Sequence, residues 1–165
     1  MKNLLKDWAV ALVVTVVLLG LWNVLRPGPL QAGPAPAFTL QSIKGDSVDF
    51  GEFAGKKLLV NFWATWCGAC RSEIPALNAM QAAHPDVPLV SISVDEGMPL
   101  LTLATHARRL GIKFLVLQDP LGTISSQYNV RELPTTFVID EQGQIRGVRR
   151  GVASQRRLEK MLSAL

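Results

Sequence analysis

The chain has 165 residues, of which 48% are hydrophobic and 18% are charged, and its net charge is +4. This apolar content excludes a disordered chain, and the sparse basic residues argue against a nucleic-acid-binding protein. With only two cysteines and two histidines, the chain is neither a disulfide-rich scaffold nor a good candidate for a four-ligand zinc site.

The first predicted element is a charge-free run of 18 residues from Trp8 to Leu25. A helix of this length crosses the apolar core of a membrane, which is about 30 Å thick. Lys2 and Lys6 precede the run, so the positive-inside rule places the N-terminus in the cytoplasm and the rest of the chain outside. We therefore predict an uncleaved membrane anchor at residues 1–26. A signal peptide cleaved at Ala35–Ala37 is the alternative, whereas a core helix would need one polar face.

Residues 27–36 contain four prolines, two glycines and no charge. This composition favours extended polyproline geometry, in which ten residues span about 30 Å. We predict that this segment is a linker and that residues 37–165 form one domain.

That domain alternates predicted strands and helices. The first predicted element of the domain is a hairpin around Gly45-Asp46, formed by Phe38–Leu40 and Val48–Phe50. Two buried strands and one short strand follow: Lys57–Trp63, Val87–Val94 and Phe114–Leu117. A second hairpin is formed by Thr136–Ile139 and Ile145–Val148. The predicted helices are Ala69–Ala83, Met98–Leu110 and one that Ser154 caps. Helices between buried strands indicate a layered α/β fold.

The candidate chemistry lies at Cys67 and Cys70, which directly follow a predicted buried strand and open a helix. Two cysteines in a CxxC on the first helical turn are close enough to bridge. Unpaired backbone N–H groups and the helix dipole favour an anion at the first cysteine, which lowers its pKa. Cys67 is therefore the predicted nucleophile, and the more shielded Cys70 is the resolving thiol.

Two other interpretations of the pair stay open at this point. A static disulfide is possible outside the cytoplasm, although closing so short a loop stabilises a fold little. Half of a metal site, for example for copper, would need further ligands, and His84 lies at the far end of the predicted helix.

The segment NFWATWCGAC resembles the active-site segment of the thioredoxin superfamily, and residues 35–165 resemble its membrane-tethered TlpA/ResA-like branch. Pro75 is similar to the proline that kinks the active-site helix, and Leu133–Phe137 is similar to the loop with a cis proline. The resemblance implies a thioredoxin-like three-layer α/β/α sandwich with a mixed central sheet and an extra N-terminal hairpin. One transmembrane helix would precede it.

The resemblance also implies a site beyond the cysteines. It makes the bond before Pro134 cis and leaves the Leu133 backbone free to pair with an extended substrate; a trans proline at the start of an edge strand is the alternative. Cys67, Cys70, Pro134 and Glu73 are the predicted catalytic residues. The predicted substrate-binding residues are Trp66, Gly68, Ala69, Leu133 and Thr135.

Two positions are expected to tune the thiols. Asn61 stands where cytoplasmic thioredoxins have a buried aspartate, and it cannot titrate. Glu73, about one turn from Cys70, matches an acidic residue near the active site of ResA-like proteins. We interpret it as a group that moves a proton to or from Cys70 and raises the thiol pKa by like-charge repulsion. The alternative is an exposed carboxylate paired with Arg71 or solvent.

The Gly68-Ala69 pair departs from the resemblance, because related proteins often have proline before the second cysteine and strong oxidases have Pro-His. Without that histidine one source of thiolate stabilisation is missing, which favours a reductase. The predicted function is thus an extracytoplasmic thiol-disulfide oxidoreductase that reduces substrate proteins. A disulfide oxidase using the same CxxC and a copper-handling thiol protein are the alternatives.

The implied partners are protein disulfide substrates and a transmembrane electron donor of the DsbD/CcdA type; nucleic acid, metal and cofactor are not expected. The predicted location is the bacterial inner membrane, with the N-terminus cytoplasmic and the C-terminal domain periplasmic or extracytoplasmic. The tether is also similar to that of the membrane-tethered thioredoxin of suppressor-of-copper-sensitivity systems. Five arginines near the C-terminus are interpreted as a solvated surface: Arg146, Arg149, Arg150, Arg156 and Arg157.

Overall fold

A computed structural model of the chain describes residues 2–25 and 32–165. Helix α1 spans Lys2–Leu25, and its side chains are described at Trp8 and at residues 11–21. No helix in the described part of the chain is long and apolar enough to cross a membrane. Residues 26–31, which include the first half of the predicted linker, lie outside the description, so the linker and the span remain predictions.

The domain that follows alternates strands and helices, as the sequence indicates. Its strands are β1 (Gly33–Pro34), β2 (Thr39–Ser42), β3 (Ser47–Asp49), β4 (Leu58–Trp63), β5 (Leu89–Ser93), β6 (Leu115–Gln118), β7 (Thr135–Ile139) and β8 (Gln144–Arg150). Its helices are a 3₁₀ helix (Phe50–Phe53), α2 (Gly68–Ala83), α3 (Leu100–Arg109), α4 (Thr123–Gln127) and α5 (Gln155–Leu162).

These strands form one mixed sheet in the order β1-β8-β7-β4-β5-β6-β2-β3. Strands β4, β5 and β6 are parallel neighbours, whereas β7 and β8 run antiparallel to β4 on its other side. The predicted hairpin of β2 and β3 is confirmed, and β2 extends the sheet by pairing antiparallel with β6. The predicted α/β fold with a mixed sheet is therefore confirmed.

The hydrophobic core has two parts because side chains alternate across each strand. All six residues of β4 are buried. Leu59 and Trp63 point to one face, where they pack with buried residues of α2, α3 and α5. Val60 and Phe62 point to the other face, where they pack with Phe38 of the hairpin region and with residues of β7 and α4. Burial on both faces explains why β4 is apolar almost throughout.

Three parts of the domain differ from the sequence prediction. Gly33 and Pro34, assigned to the linker, pair with β8 at the sheet edge, and Ala35 is buried. The chain leaves the second hairpin strand at Asp49, whose side chain caps the 3₁₀ helix in a reciprocal capping box with Glu52. Helix α4 was not predicted, since five residues are too few to show a helical period.

Candidate active site

Cys67 and Cys70 are joined by a disulfide, and their Cα atoms are 5.3 Å apart. Cys67 is the N-cap of α2, and its Sγ accepts a hydrogen bond from the Cys70 backbone N–H at 3.1 Å. The N-cap position is where the sequence placed the nucleophile, because unpaired N–H groups there stabilise a negative sulfur. Cys67 is 7% exposed and Cys70 is 2% exposed, so both sulfur-bearing residues lie close beneath the surface.

The segment before Cys67 is held by a buried carboxylate that the sequence did not single out. Asp95, two residues after β5, accepts hydrogen bonds from the backbone N–H of Thr65 at 2.9 Å and from its hydroxyl at 2.8 Å. Ser93 donates to the same carboxylate at 2.7 Å. These bonds fix the chain between β4 and α2, and they thereby fix where Cys67 begins the helix.

The surface around the disulfide is open. Trp66 is 71% exposed, and Gly68 and Ala69 are exposed beside it. A cavity of about 390 Å³ is bordered by Trp66, Cys67 and Leu133, among other residues. A polypeptide can therefore approach Cys67 along this cavity, with Cys70 behind it.

The bond between Leu133 and Pro134 is cis, as the resemblance implies. Leu133 is half-buried and Pro134 is buried, and the Pro134 carbonyl accepts a hydrogen bond from the Gly151 N–H at 2.8 Å. Thr135 differs from the other predicted substrate-binding residues, because it is buried and its hydroxyl donates to the Glu132 carbonyl at 2.8 Å.

Glu73 lies in a buried polar network behind the cysteines, where it is 1% exposed. Its Oε1 accepts from the Ala153 backbone N–H at 2.7 Å, and its Oε2 accepts from Asn61 Nδ2 at 3.2 Å. Asn61 also donates to the Thr136 hydroxyl at 3.0 Å and accepts from the Ser91 hydroxyl at 3.0 Å. The network connects three central strands to α2 and to the turn before α5.

The interpretation of Glu73 as an exposed carboxylate is therefore wrong. Burial raises the pKa of Glu73 above its usual value, while the Ala153 N–H, the Asn61 amide and the charge of Arg149 act against this rise. Glu73 and Cys70 are three residues apart on one helix, which makes them neighbours on its surface. A buried carboxyl group with a raised pKa thus lies next to Cys70.

The other predicted features are distributed as follows. Pro75 lies within α2. His84 ends that helix and is 3.6 Å from Glu159, far along the helix from the disulfide. No group of three or more metal-ligating side chains occurs in residues that the structure describes. The turn of Gly151–Ala153, which contacts both Pro134 and Glu73, was missed because no sequence motif marks it.

Comparisons with known proteins agree with this geometry. The AhpC/TSA family matches residues 32–148. The thiol-disulfide oxidoreductase ResA of Geobacillus kaustophilus is 31% identical over 131 residues, which cover 79% of this chain and 75% of the relative. The thioredoxin-like protein YneN of Bacillus subtilis is 32% identical over 170 residues, covering 96% of this chain and 98% of the relative.

Among solved structures, a thiol:disulfide interchange protein of the thioredoxin family from Chlorobium tepidum superposes with a TM-score of 0.69 at 28% identity. The match covers 84% of this chain and 97% of that structure. The fold agrees with that structure, and the paired cysteines of this chain fit the names of these relatives. The chain belongs to the AhpC/TSA family, among its thioredoxin-like thiol-disulfide oxidoreductases.

Proposed function

We propose that this protein reduces disulfides of substrate proteins outside the cytoplasm, with Cys67 as the nucleophile and Cys70 as the resolving thiol. The observation that carries the proposal is the placement of Cys67 at the helix N-cap, beside an open cavity that Trp66 and Leu133 border. A substrate can reach Cys67 there, and Cys70 lies one turn further into the helix.

The reaction starts from the dithiol form. The Cys67 thiolate attacks one sulfur of the substrate disulfide, forms a mixed disulfide and releases the other substrate sulfur, which takes up a proton. Cys70 then loses its proton and attacks the Cys67 sulfur, which breaks the mixed disulfide and releases the second substrate thiol. Two electrons and two protons pass to the substrate, and the protein is left with the Cys67–Cys70 disulfide.

Glu73 supports the reductase direction. When it is ionised, its charge opposes a thiolate at Cys70, which destabilises the reduced form and makes the dithiol a better electron donor. When it is protonated, it holds a proton next to the thiol that must lose or gain one. The Gly68-Ala69 pair adds no histidine to stabilise a thiolate, unlike the dipeptide of strong oxidases.

Equilibration of the full-length protein with glutathione buffers tests the direction. We expect a reduction potential well below about −180 mV, in the range of protein reductants. A potential above that value would assign the same cysteines to an oxidase. Binding of one Cu(I) per chain without reduction of insulin would instead assign them to copper handling.

The proposed location rests on the N-terminal sequence. Trp8–Leu25 carries no charge, and the described side chains of α1 from Leu12 to Leu21 are exposed. Exposed leucine and valine side chains on a helix favour an apolar surrounding. The proposed organisation is a membrane anchor at residues 1–26, a linker at 27–36 and the redox domain from 37, on the extracytoplasmic side of a bacterial inner membrane.

Membrane fractionation with added protease tests this location. We expect the full-length chain in the membrane fraction, with the redox domain cleaved by protease from the extracytoplasmic side only.

Deletion of the carrier tests the proposed electron donor. A transmembrane carrier of the DsbD/CcdA type should keep Cys67 and Cys70 reduced, and its deletion should leave them oxidised. A chain released by carbonate washing, or one reduced without such a carrier, would contradict these two parts of the proposal.

A further inference from the structure

The turn of Gly151–Ala153, between β8 and α5, touches the site at two points. The Gly151 N–H donates to the Pro134 carbonyl at 2.8 Å. Two residues later, the Ala153 N–H donates to Glu73 at 2.7 Å, and Ala153 is buried. Gly151 has a positive φ of 72°, a conformation that glycine adopts without strain. The turn thus links the cis-proline loop to the buried carboxylate behind Cys70.

Arg149 holds this turn from β8. Its Nη2 donates to the Val152 carbonyl at 3.1 Å, which lies between the two N–H groups that contact the site. Arg149 pairs directly with Thr136 of β7, and directly paired residues of antiparallel strands place their side chains on the same face. The Thr136 hydroxyl accepts from Asn61, which also donates to Glu73, so Arg149 lies on the sheet face that carries the Glu73 network.

Arg149 is half-buried, whereas the sequence indicates a fully solvated arginine. The Nε of Arg149 is buried and has no hydrogen-bond partner among the described residues. The shielding is partial, because the bond from Nη2 to the Val152 carbonyl is exposed.

Glu73 is the carboxylate of the network on this sheet face. It faces Asn61 of β4 and the Ala153 N–H, both neutral, with Cys70 on its own helix. Arg149 is the charged group that acts on Glu73, where it opposes the rise in pKa that burial causes.

We propose that Arg149 is a positioning residue of the redox site: it clamps the Gly151–Ala153 turn against Pro134 and Glu73, and it adds a positive charge to the sheet face that carries the Glu73 network. The clamp sets the geometry of the bond from Ala153 to the carboxylate. The charge favours the ionised form of Glu73, in the same direction as the hydrogen bonds from Ala153 and Asn61. The inference deepens the proposed role of Glu73, but the geometry on which it stands does not depend on the direction of catalysis.

The first test titrates Glu73 directly in the oxidised full-length protein, where neither cysteine ionises. Glutamate labelled with ¹³C at the carboxyl carbon gives one NMR signal per glutamate, and the Glu73→Gln variant identifies the signal of Glu73. We expect Arg149→Gln to move the Glu73 midpoint to higher pH, because the cation that favours the carboxylate is gone. Arg149→Lys keeps the charge and should leave the midpoint near that of the wild type.

The second test measures hydrogen exchange at the Ala153 amide in the same samples. Loss of the clamp in Arg149→Gln should speed this exchange by about tenfold, the factor that corresponds to one hydrogen bond. The Ala153 amide should also exchange faster in Arg149→Lys, since lysine lacks the guanidinium geometry. A variant that keeps the charge but loses the clamp thus separates the two effects. Arg156→Gln, which removes an exposed arginine of α5, is the matched control and should change neither quantity.

An unchanged Glu73 midpoint in Arg149→Gln, or an equal shift in Arg156→Gln, would overturn the claim about charge. Unchanged exchange at Ala153 would overturn the clamp. If the reductase proposal fails while both effects occur, the positioning role still stands, because both readouts are made on the oxidised protein without substrate.

Discussion

Both faces of strand β4 pack against apolar residues, but they differ at the adjacent residues Asn61 and Phe62, for which we call them the polar face and the aromatic face. On one face Asn61 joins a polar network that ends at Glu73 behind the cysteines. On the other face Phe62 lies 5.2 Å from the ring of Tyr128 and 5.8 Å from that of Phe137, within an aromatic cluster. Adjacent residues of one strand therefore have different roles. Phe62 stabilises the sheet, whereas Asn61 holds Glu73, which lies next to Cys70 on the helix that carries the disulfide.

The largest effect should come from the aromatic face. Phe62→Ala leaves a cavity beneath Tyr128 and Phe137 and should lower the free energy of unfolding by about 3–5 kcal/mol, as measured by urea unfolding. The reduction potential of the folded fraction should not change, because Phe62 points away from α2. Phe62→Leu is the matched control and should lose less stability. A changed potential in Phe62→Ala would mean that the two faces are coupled.

The sequence predicts the aromatic face of β4 better than it predicts the polar face. The aromatic face and β4 itself follow from local apolar patterning, and the CxxC at a strand-to-helix junction identifies the redox pair. The polar face does not follow, because the contacts of Glu73 with Asn61 and Ala153 join residues 12 and 80 positions away. Helix periodicity alone leaves Glu73 equally compatible with an exposed position.

Removal of Asn61, the residue that bonds to Glu73, Ser91 and Thr136 on the polar face, should have the second largest effect. Asn61→Leu preserves the approximate volume but leaves Glu73, Ser91 and Thr136 each short of one hydrogen-bond partner. We expect a loss of about 3 kcal/mol in urea unfolding, since each of the three buried groups costs at least about 1 kcal/mol without its partner. Ser91→Ala removes one bond of the network and should cost less. Equal losses of stability in the two variants would show that Asn61 contributes no more than a single bond of the network.

Glu73→Gln should change how stability depends on pH. Burial raises the pKa of Glu73 in the folded state, so its ionisation favours unfolding, and the wild type should lose stability as the pH rises above the ordinary value of 4.5 and through the raised pKa. The glutamine variant lacks this dependence, so the stability difference between the two proteins should shift in favour of glutamine across that window. Urea unfolding at a series of pH values measures it, and parallel curves would contradict the burial of an ionisable Glu73.

The same variant should also change thiol reactivity. Without the Glu73 charge beside Cys70, a thiolate is less disfavoured, and the pH profile of alkylation of the reduced protein should move to lower pH. Iodoacetamide labelling followed by mass spectrometry measures the profile for each cysteine. An unmoved profile would remove Glu73 from proton transfer while leaving its structural role intact.

The smallest effect is expected at Tyr128. Its ring is fully buried in the aromatic cluster, and its hydroxyl has no hydrogen-bond partner among the residues that the structure describes. Tyr128→Phe removes a buried polar atom without a partner, so the free energy of unfolding should stay the same or rise by up to about 1 kcal/mol. Urea unfolding of both proteins measures the change. A clear loss of stability would show that the hydroxyl is bonded after all.

In the proposed reaction Cys67 attacks substrates and Cys70 completes their reduction. The most direct measurement is a trap in native membranes with full-length Cys70→Ser, compared with Cys67→Ser at the same expression level. Cys70→Ser should accumulate mixed disulfides with substrate proteins through Cys67, which a reductant releases, and Cys67→Ser should accumulate few or none. Equal trapping by both variants, or none by Cys70→Ser together with no reduction of insulin by the wild type, would contradict it.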